Sequence, residues 1–131
     1  MSKICFIFLI LICTKAFAES PIEPLVIDHN NAKKYGFKVK EYSDAQASHL
    51  ELKGPKTING CSPSRAGSAL VSHNNKELSL NVATLDPNSP SEIIGYIRHN
   101  TNYKLVIFID YLCPKGIEGK SRSYQLSSKR T

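Results

Sequence analysis

Cysteine and histidine are the residues of this sequence that are best suited to metal binding or nucleophilic catalysis. Neither Cys61 nor Cys113 has another cysteine or a histidine within four positions, and no His-x-His or His-x-x-x-His pair occurs. A zinc site needs four ligands, which usually come in closely spaced pairs. The sequence therefore predicts no metal site and no cofactor. Four residues are interpreted as surface histidines: His29, His49, His73 and His99.

A catalytic nucleophile needs a base beside it and a third group that orients the base. The sequence contains no Gly-x-Ser-x-Gly turn, and its acidic residues are scattered. Asp110, the acid of the most apolar segment, is expected to meet water or a basic neighbour. We predict no catalytic residues and a protein that is not an enzyme. The alternative is a small hydrolase whose site the fold assembles from His49 or His99, Asp110 and a serine.

Residues 61–65, with the sequence CSPSR, are the best candidate for an anion site. Backbone N–H groups and the Arg65 side chain could surround an anion there. The segment lacks the Gly-Lys-Ser/Thr ending of a phosphate-binding P-loop. Because residues 57–67 are rich in Gly, Ser and Pro, we interpret them as a connecting loop that contains Cys61.

The first 18 residues have the pattern of a secretory signal peptide. Lys3 is followed by an apolar run of ten residues, and alanines at positions 16 and 18 precede Glu19, where cleavage is expected. The run is shorter than the roughly 20 residues of a membrane-spanning helix. We predict a cleaved leader over residues 1–18, a periplasmic or secreted location, and no stable membrane insertion afterwards. An uncleaved anchor or a buried strand is the alternative.

The leader contains Cys5 and Cys13, so the mature chain keeps only Cys61 and Cys113. In an exported protein, two cysteines most simply form one disulfide. The sequence therefore predicts a disulfide between Cys61 and Cys113. Two free thiols or a metal-binding pair is the alternative.

The net charge of +6 is unevenly distributed along the chain. The leader holds two lysines, and residues 19–114 carry equal numbers of basic and acidic residues, which leaves an excess of +4 after residue 114. This basic patch consists of Lys115, Lys120, Arg122, Lys129 and Arg130. It is either a binding site for an acidic partner or, more simply, a solvated edge whose charges oppose aggregation. Nucleic acid is not a predicted partner, because the segment offers only Tyr124 for stacking.

Alternation of apolar and polar residues predicts strands that each have one buried and one exposed face. The alternation occurs in residues 37–40, 50–53, 78–82 and 123–127, and a hairpin turn is expected at residues 73–76. Residues 105–109 are apolar throughout, which predicts a central strand. Residues 19–34 contain two prolines and are predicted to form an extended N-terminal arm, with a short edge strand at residues 25–27.

Residues 89–98 support two interpretations. Ser89 stands three residues before Glu92 and directly before a proline, which is the pattern of a helix start. Ile93, Tyr96 and Ile97 would then share one helical face. The alternative is a strand over residues 93–98 that forms a hairpin with the next strand. Because the start signal is specific, we predict one or two helical turns.

Together these patterns predict an all-β, mainly antiparallel domain over residues 35–131: a small immunoglobulin-like β-sandwich of six or seven strands with one short helix. For function, the expectation is an exported non-enzymatic binding module that engages a protein partner, of acidic character if the basic patch is used, in the bacterial envelope. An inhibitor or immunity-type protein is one form of it. The alternative is an accessory structural subunit that docks by strand addition, with the N-terminal arm as the inserted strand.

Overall fold

The computed structural model of the protein describes residues 24–72, 74, 76–86, 88, 90–114 and 121–128. The predicted leader lies outside these residues. The described part of the chain forms eight strands and one short helix. In chain order they are β1 (Pro24–Val26), α1 (Ala32–Tyr35), β2 (Lys38–Ser43), β3 (Ala47–Lys53), β4 (Ser62–Val71), β5 (Glu77–Thr84), β6 (Glu92–Arg98), β7 (Lys104–Leu112) and β8 (Arg122–Ser127).

The strands form two sheets that pack face to face. The larger sheet has the order β1-β8-β7-β4-β5 and the smaller has the order β2-β3-β6. All neighbouring strands are antiparallel except β1 and β8, which are parallel. The strand order β5-β4-β7-β8 opposite β3-β6 corresponds to C′-C-F-G opposite B-E in an immunoglobulin variable domain. The predicted all-β sandwich is therefore confirmed, with eight strands rather than six or seven.

The core lies between the two sheets and is built mainly on β7. Its side chains at positions 105, 107 and 109 are buried, in agreement with the prediction of a central strand. Rings from α1, β7, β8 and the segment before β2 close one end, with Phe37 and Tyr124 at a centroid distance of 4.8 Å. The hydroxyl of Tyr111 donates to the carbonyl oxygen of Pro55 at 2.6 Å, and burial raises the pKa of Tyr111 to about 12.

The predicted helix in residues 89–98 is wrong, because Glu92–Arg98 is strand β6. Three β-branched isoleucines favour a strand, and Gly95 disfavours a helix interior. Gly95 is needed where the sheets approach closely, since a Cβ at this position would lie 3.0 Å from side-chain atoms of Leu105 and Ile107. The alternative prediction had the right strand and the wrong partner: β6 pairs with β3, and the chain then crosses to the other sheet.

The predicted loop over residues 57–67 is also wrong from Ser62 onward, where β4 begins. The small side chains that suggested a loop serve a different purpose, because Gly67 lies directly beneath the Phe108 ring. Pro63 stands beside an irregularity in the pairing of β4 with β7, which is where a strand tolerates proline. The short helix occurs instead at Ala32–Tyr35 and ends at Gly36, whose φ of 80° suits a glycine.

The described part of the predicted N-terminal arm is folded against the sandwich. Pro24–Val26 forms edge strand β1, close to the predicted position. Ile27 and Ala32 are buried in the core. Asn31 fixes the intervening turn, because its side-chain amide donates to the carbonyl oxygen of Val26 at 2.8 Å.

Candidate functional site

The predicted disulfide joins Cys61 to Cys113. Cys61 directly precedes Ser62, the first residue of β4, and Cys113 directly follows Leu112, the last residue of β7. Because Ser62 and Leu112 are paired, the bond fastens the ends of two neighbouring strands. A disulfide is typical of proteins that fold in an oxidising compartment, which is compatible with a location outside the cytoplasm. Cys61 is buried and belongs to the core, so the structure gives both cysteines a structural role.

The basic patch falls almost entirely outside the described residues. This applies to Lys115, Lys120, Lys129 and Arg130. Arg122 is described: it begins β8, is exposed, and pairs in register with Tyr111. The use of the patch in binding therefore stays a prediction.

Asp110 and Arg65 form an ion pair with an Nη2–Oδ2 distance of 2.8 Å. The carboxylate is 7% exposed and the guanidinium is 53% exposed, so an almost fully buried acid is neutralised by a half-exposed base. The expectation that Asp110 meets a basic neighbour is confirmed. Arg65 lies within β4 and pairs across to Asp110 on β7. The Arg65 charge is therefore already paired, and residues 61–65 do not offer it as an unpaired cation to an anion.

His29, His49 and His99 are described, whereas His73 lies outside the described residues. Two of the described histidines hold one turn together. His49 Nε2 lies 2.9 Å from Asp44 Oδ2, and His99 Nε2 lies 2.8 Å from the Asp44 carbonyl oxygen. The Asp44 carboxylate also accepts the backbone N–H groups of Gln46 and Ala47. The hydrogen bonds to the carboxylate, of which the one from the Gln46 N–H has the largest effect, lower the pKa of Asp44 to about 2. His49 thus fastens the β2–β3 turn to strand β3, and His99 fastens the same turn to the segment after β6.

His49 lies outside the core, in a row of rings across the smaller sheet. It stacks on Tyr42 at a centroid distance of 4.6 Å and stands 6.1 Å from Tyr96. Lys40 covers the Tyr42 ring with its ammonium group 5.2 Å from the ring centroid. The rings of Tyr42 and His49 are therefore already engaged in contacts with neighbouring side chains of the same sheet.

The most unusual surface of the described molecule is strand β5. All eight of its residues are exposed, and β4 is the only described element that it contacts. The smaller sheet does not cover the inner side of β5. Along its other edge, no described strand pairs with it. The backbone N–H and C=O groups of that edge are therefore available to a further strand.

Three apolar side chains stand along β5. Leu78, Leu80 and Val82 are exposed by 48%, 49% and 45% of their surfaces. Residues that are directly opposite in an antiparallel pair share a face, so Leu80 lies beside Ala69 and Val82 lies beside Gly67. The same rows continue to Val106 and Phe108 on β7. An apolar strip thus runs across the outer face of the larger sheet and ends at the edge strand β5, beyond which no described strand continues it.

The other sheet edges are better protected. β1 has three residues and begins with Pro24; β2 carries three charged residues among six; and β6 has a charge at each end and a glycine at its centre. Between Glu77 and the end of β5 there is no charge and no proline. Short length, charge and proline are the usual means of blocking edge-to-edge pairing. β5 is the longest of the described edges, and its stretch of seven residues without charge or proline is longer than the corresponding five in β6.

The sequence suggested β5 as a strand but not as an exposed one. Its alternation was interpreted as one buried and one wet face, whereas the structure leaves both faces open. A usable signal was present: the polar positions of the segment hold Ser79 and Asn81 rather than Lys or Glu. When the polar residues that alternate with apolar ones in a strand are uncharged, no charge on that strand opposes pairing along its edge.

No protein-family model matches this chain, and a search of curated proteins found no similar one. Within the described residues, His, Cys, Asp and Glu side chains do not gather in groups of three or more that could hold a metal ion. The described helix is also much too short to cross a membrane, and the described residues contain no other helix that could.

Proposed function

We propose that this protein is an exported, non-enzymatic binding module that engages a protein partner in the bacterial envelope by strand addition along β5. An inhibitor or immunity-type protein, which occupies a surface of an enzyme, is one form of this function. The observation that carries the proposal is the open edge of β5, with its three half-exposed apolar side chains.

Strand addition supplies both affinity and selectivity. Backbone hydrogen bonds along the new strand provide affinity, and side chains at alternate positions provide selectivity. A partner strand beside β5 would place its apolar side chains next to Leu80 and Val82, where they complete the strip from Val106 and Phe108. Its intervening side chains would meet Asn81 and Ser79. The expected partner segment is therefore extended, with apolar residues at every second position and small or polar residues between them.

The geometry favours receiving a strand over donating one. Donation would use the N-terminal arm, but residues 24–26 are already paired with residues 123–125 of β8. Ile27 is buried behind them, and its N–H donates to the carbonyl oxygen of Gln125 at 2.6 Å. To insert into a partner, this segment would have to leave its own sheet and expose Ile27. For this reason we prefer the binding module to the accessory subunit that docks through its arm.

Site-specific photo-cross-linking in the bacterial envelope tests the proposal. A photoreactive phenylalanine analogue is placed at Leu80 in β5 and, as a matched control, at Ile94 in β6, which is 58% exposed on an edge strand of the other sheet. We expect position 80 to yield an adduct with a second protein, and the added charge of Val82→Lys to abolish it. Adducts that are the same at both positions, or that survive Val82→Lys, would contradict binding at β5.

A further inference from the structure

We propose that β5 also pairs with β5 of a second copy of this chain, antiparallel and about a two-fold axis at Leu80, and so joins two large sheets into one of ten strands. The inference rests on the proposed function, because both need the β5 edge to be open. It adds a second occupant for that edge and a competition between the two.

The residue pattern of β5 is complementary to itself in this register. With Leu80 opposite Leu80 of the second copy, Leu78 comes opposite Val82 twice. On the other face, Ser79 comes opposite Asn81 twice. Apolar side chains therefore meet apolar ones and polar side chains meet polar ones, which is the arrangement that stabilises cross-strand pairs. Six apolar side chains that are each about half exposed in one copy would cover one another.

A shift of the axis by one residue weakens the match. With the axis at Asn81, Leu78 would meet Thr84, and Ser79 would meet Ala83. Leu80 would still meet Val82 twice, so the apolar pairings fall from three to two and the mixed ones increase. The side-chain pattern thus selects one antiparallel register.

Charges at the two ends of β5 select the antiparallel direction. Lys76 and Glu77 stand at its start, and Asp86 stands just beyond its end. A parallel, in-register pair would bring each of these charges beside its own copy. The antiparallel pair places Lys76 opposite Thr84, two residues from Asp86, which is within reach of a lysine side chain. Glu77 comes opposite the neutral Ala83.

The size of the contact predicts a weak dimer. Eight residues of strand extend over about 26 Å, and one strand width along that length is well below the roughly 800 Å² per partner of a standard stable interface. We therefore expect dissociation in the micromolar range or weaker. At high local concentration the dimer covers the apolar edge of β5. A partner that binds the edge more tightly displaces the second copy.

Cysteine cross-linking tests both the contact and its register. In the proposed pair the two Cβ atoms at position 80 stand directly opposite, about 5 Å apart, whereas those at position 81 are diagonal and about 7 Å apart. A disulfide requires Cβ atoms about 4 Å apart, so only the first pair can close with a small adjustment. Leu80→Cys should therefore form a disulfide-linked dimer under mild oxidation. The matched variant Asn81→Cys should form it at least tenfold more slowly.

Residues 19–131, which lack Cys5 and Cys13 of the predicted leader, are purified for this experiment, and Ile94→Cys on β6 reports random collisions. Sedimentation of the unmodified protein over increasing concentration should show a reversible dimer that Val82→Lys abolishes. Equal rates for Leu80→Cys and Asn81→Cys, a rate for Leu80→Cys no higher than for Ile94→Cys, or a monomer at every concentration would overturn the inference. A monomer whose position 80 still cross-links to a different protein would refute the self-pairing alone. Adducts only with a second copy would refute the proposed function and leave the self-pairing intact.

Discussion

The disulfide between Cys61 and Cys113 should supply a large share of the stability of the domain. The cysteines are 52 positions apart. In the loop-entropy model, a cross-link over that distance restricts the unfolded chain and raises the free energy of unfolding by about 4 kcal/mol at 25 °C. Small domains are typically stable by about 5–15 kcal/mol. Replacing both cysteines by alanine should therefore leave a domain that is only marginally stable, or that is unfolded at about 37 °C.

Urea denaturation measures the effect directly, with tyrosine fluorescence as the signal because the chain has no tryptophan. Three samples are compared: the oxidised protein, the protein unfolded and refolded in reductant, and the variant with Cys61→Ala and Cys113→Ala. The last two should lose about 4 kcal/mol. Both should also show a steeper dependence on urea, since an unfolded chain without the cross-link exposes more surface.

The comparison of the last two samples separates the cross-link from packing. Cys61 is buried, so alanine at that position also removes core contacts, whereas reduction leaves the sulfur atoms in place. A loss under about 1 kcal/mol in both samples would refute the entropic reasoning. A loss in the alanine variant but not after reduction would assign the effect to the core.

Three further predictions concern the turn, the sheet and the ion pair. The pKa of Asp44, about 2, lies below its ordinary value of 3.8, so Asp44 stabilises the fold above that value and the contribution is lost as the pH falls towards 2. The difference in melting temperature between the wild type and Asp44→Asn should therefore shrink between about pH 4 and pH 2, and a constant difference would contradict this. Gly67→Ala should lower the free energy of unfolding in urea by about 1–3 kcal/mol, because the added Cβ would overlap the Asn81 carbonyl oxygen and lie 2.7 Å from Phe108 Cζ; an unchanged value would show that β5 moves freely. Arg65→Ala should cost about 1–3 kcal/mol by leaving a buried carboxylate unpaired, and adding Asp110→Asn should recover part of the loss, whereas additive losses would argue against coupling of the pair.

The strands whose side chains fill the space between the two sheets were predictable from the sequence, because burial of one or both faces imposes a recognisable spacing of apolar residues. Residues 105–109 are apolar at every position and do form the central strand. The disulfide was also predictable, since only one pairing remains once the leader is set aside. Each of these predictions needed only local pattern or counting.

The errors arose where tertiary contacts decide the local structure. Ser89, Pro90 and Glu92 resemble a helix start, but the extended segment pairs with β3 and packs the partly buried Ile93 and Ile97 against the core. Position 67 is a glycine because the Phe108 ring lies over it, and that contact involves residues 41 positions apart. The exposure of β5 depends on the width of the opposite sheet, and the uncharged Ser79 and Asn81 are its one local sign in the sequence of this strand.

The parallel pairing of β1 with β8 has a consequence for how far an assembly could grow. Each large sheet has two edges, and one of them is β1, which has three residues in the described part of the chain and begins there at Pro24. If two copies join through β5, both remaining edges of the joined sheet are β1. A two-fold contact uses the same patch on each copy and is complete after two. Further growth of the joined sheet would need a second long edge on each larger sheet, and the described part of β1 does not provide one. An exposed strand such as β5 would favour fibres in a sheet with two long open edges, whereas pairing through β5 extends the larger sheet here only to a closed pair.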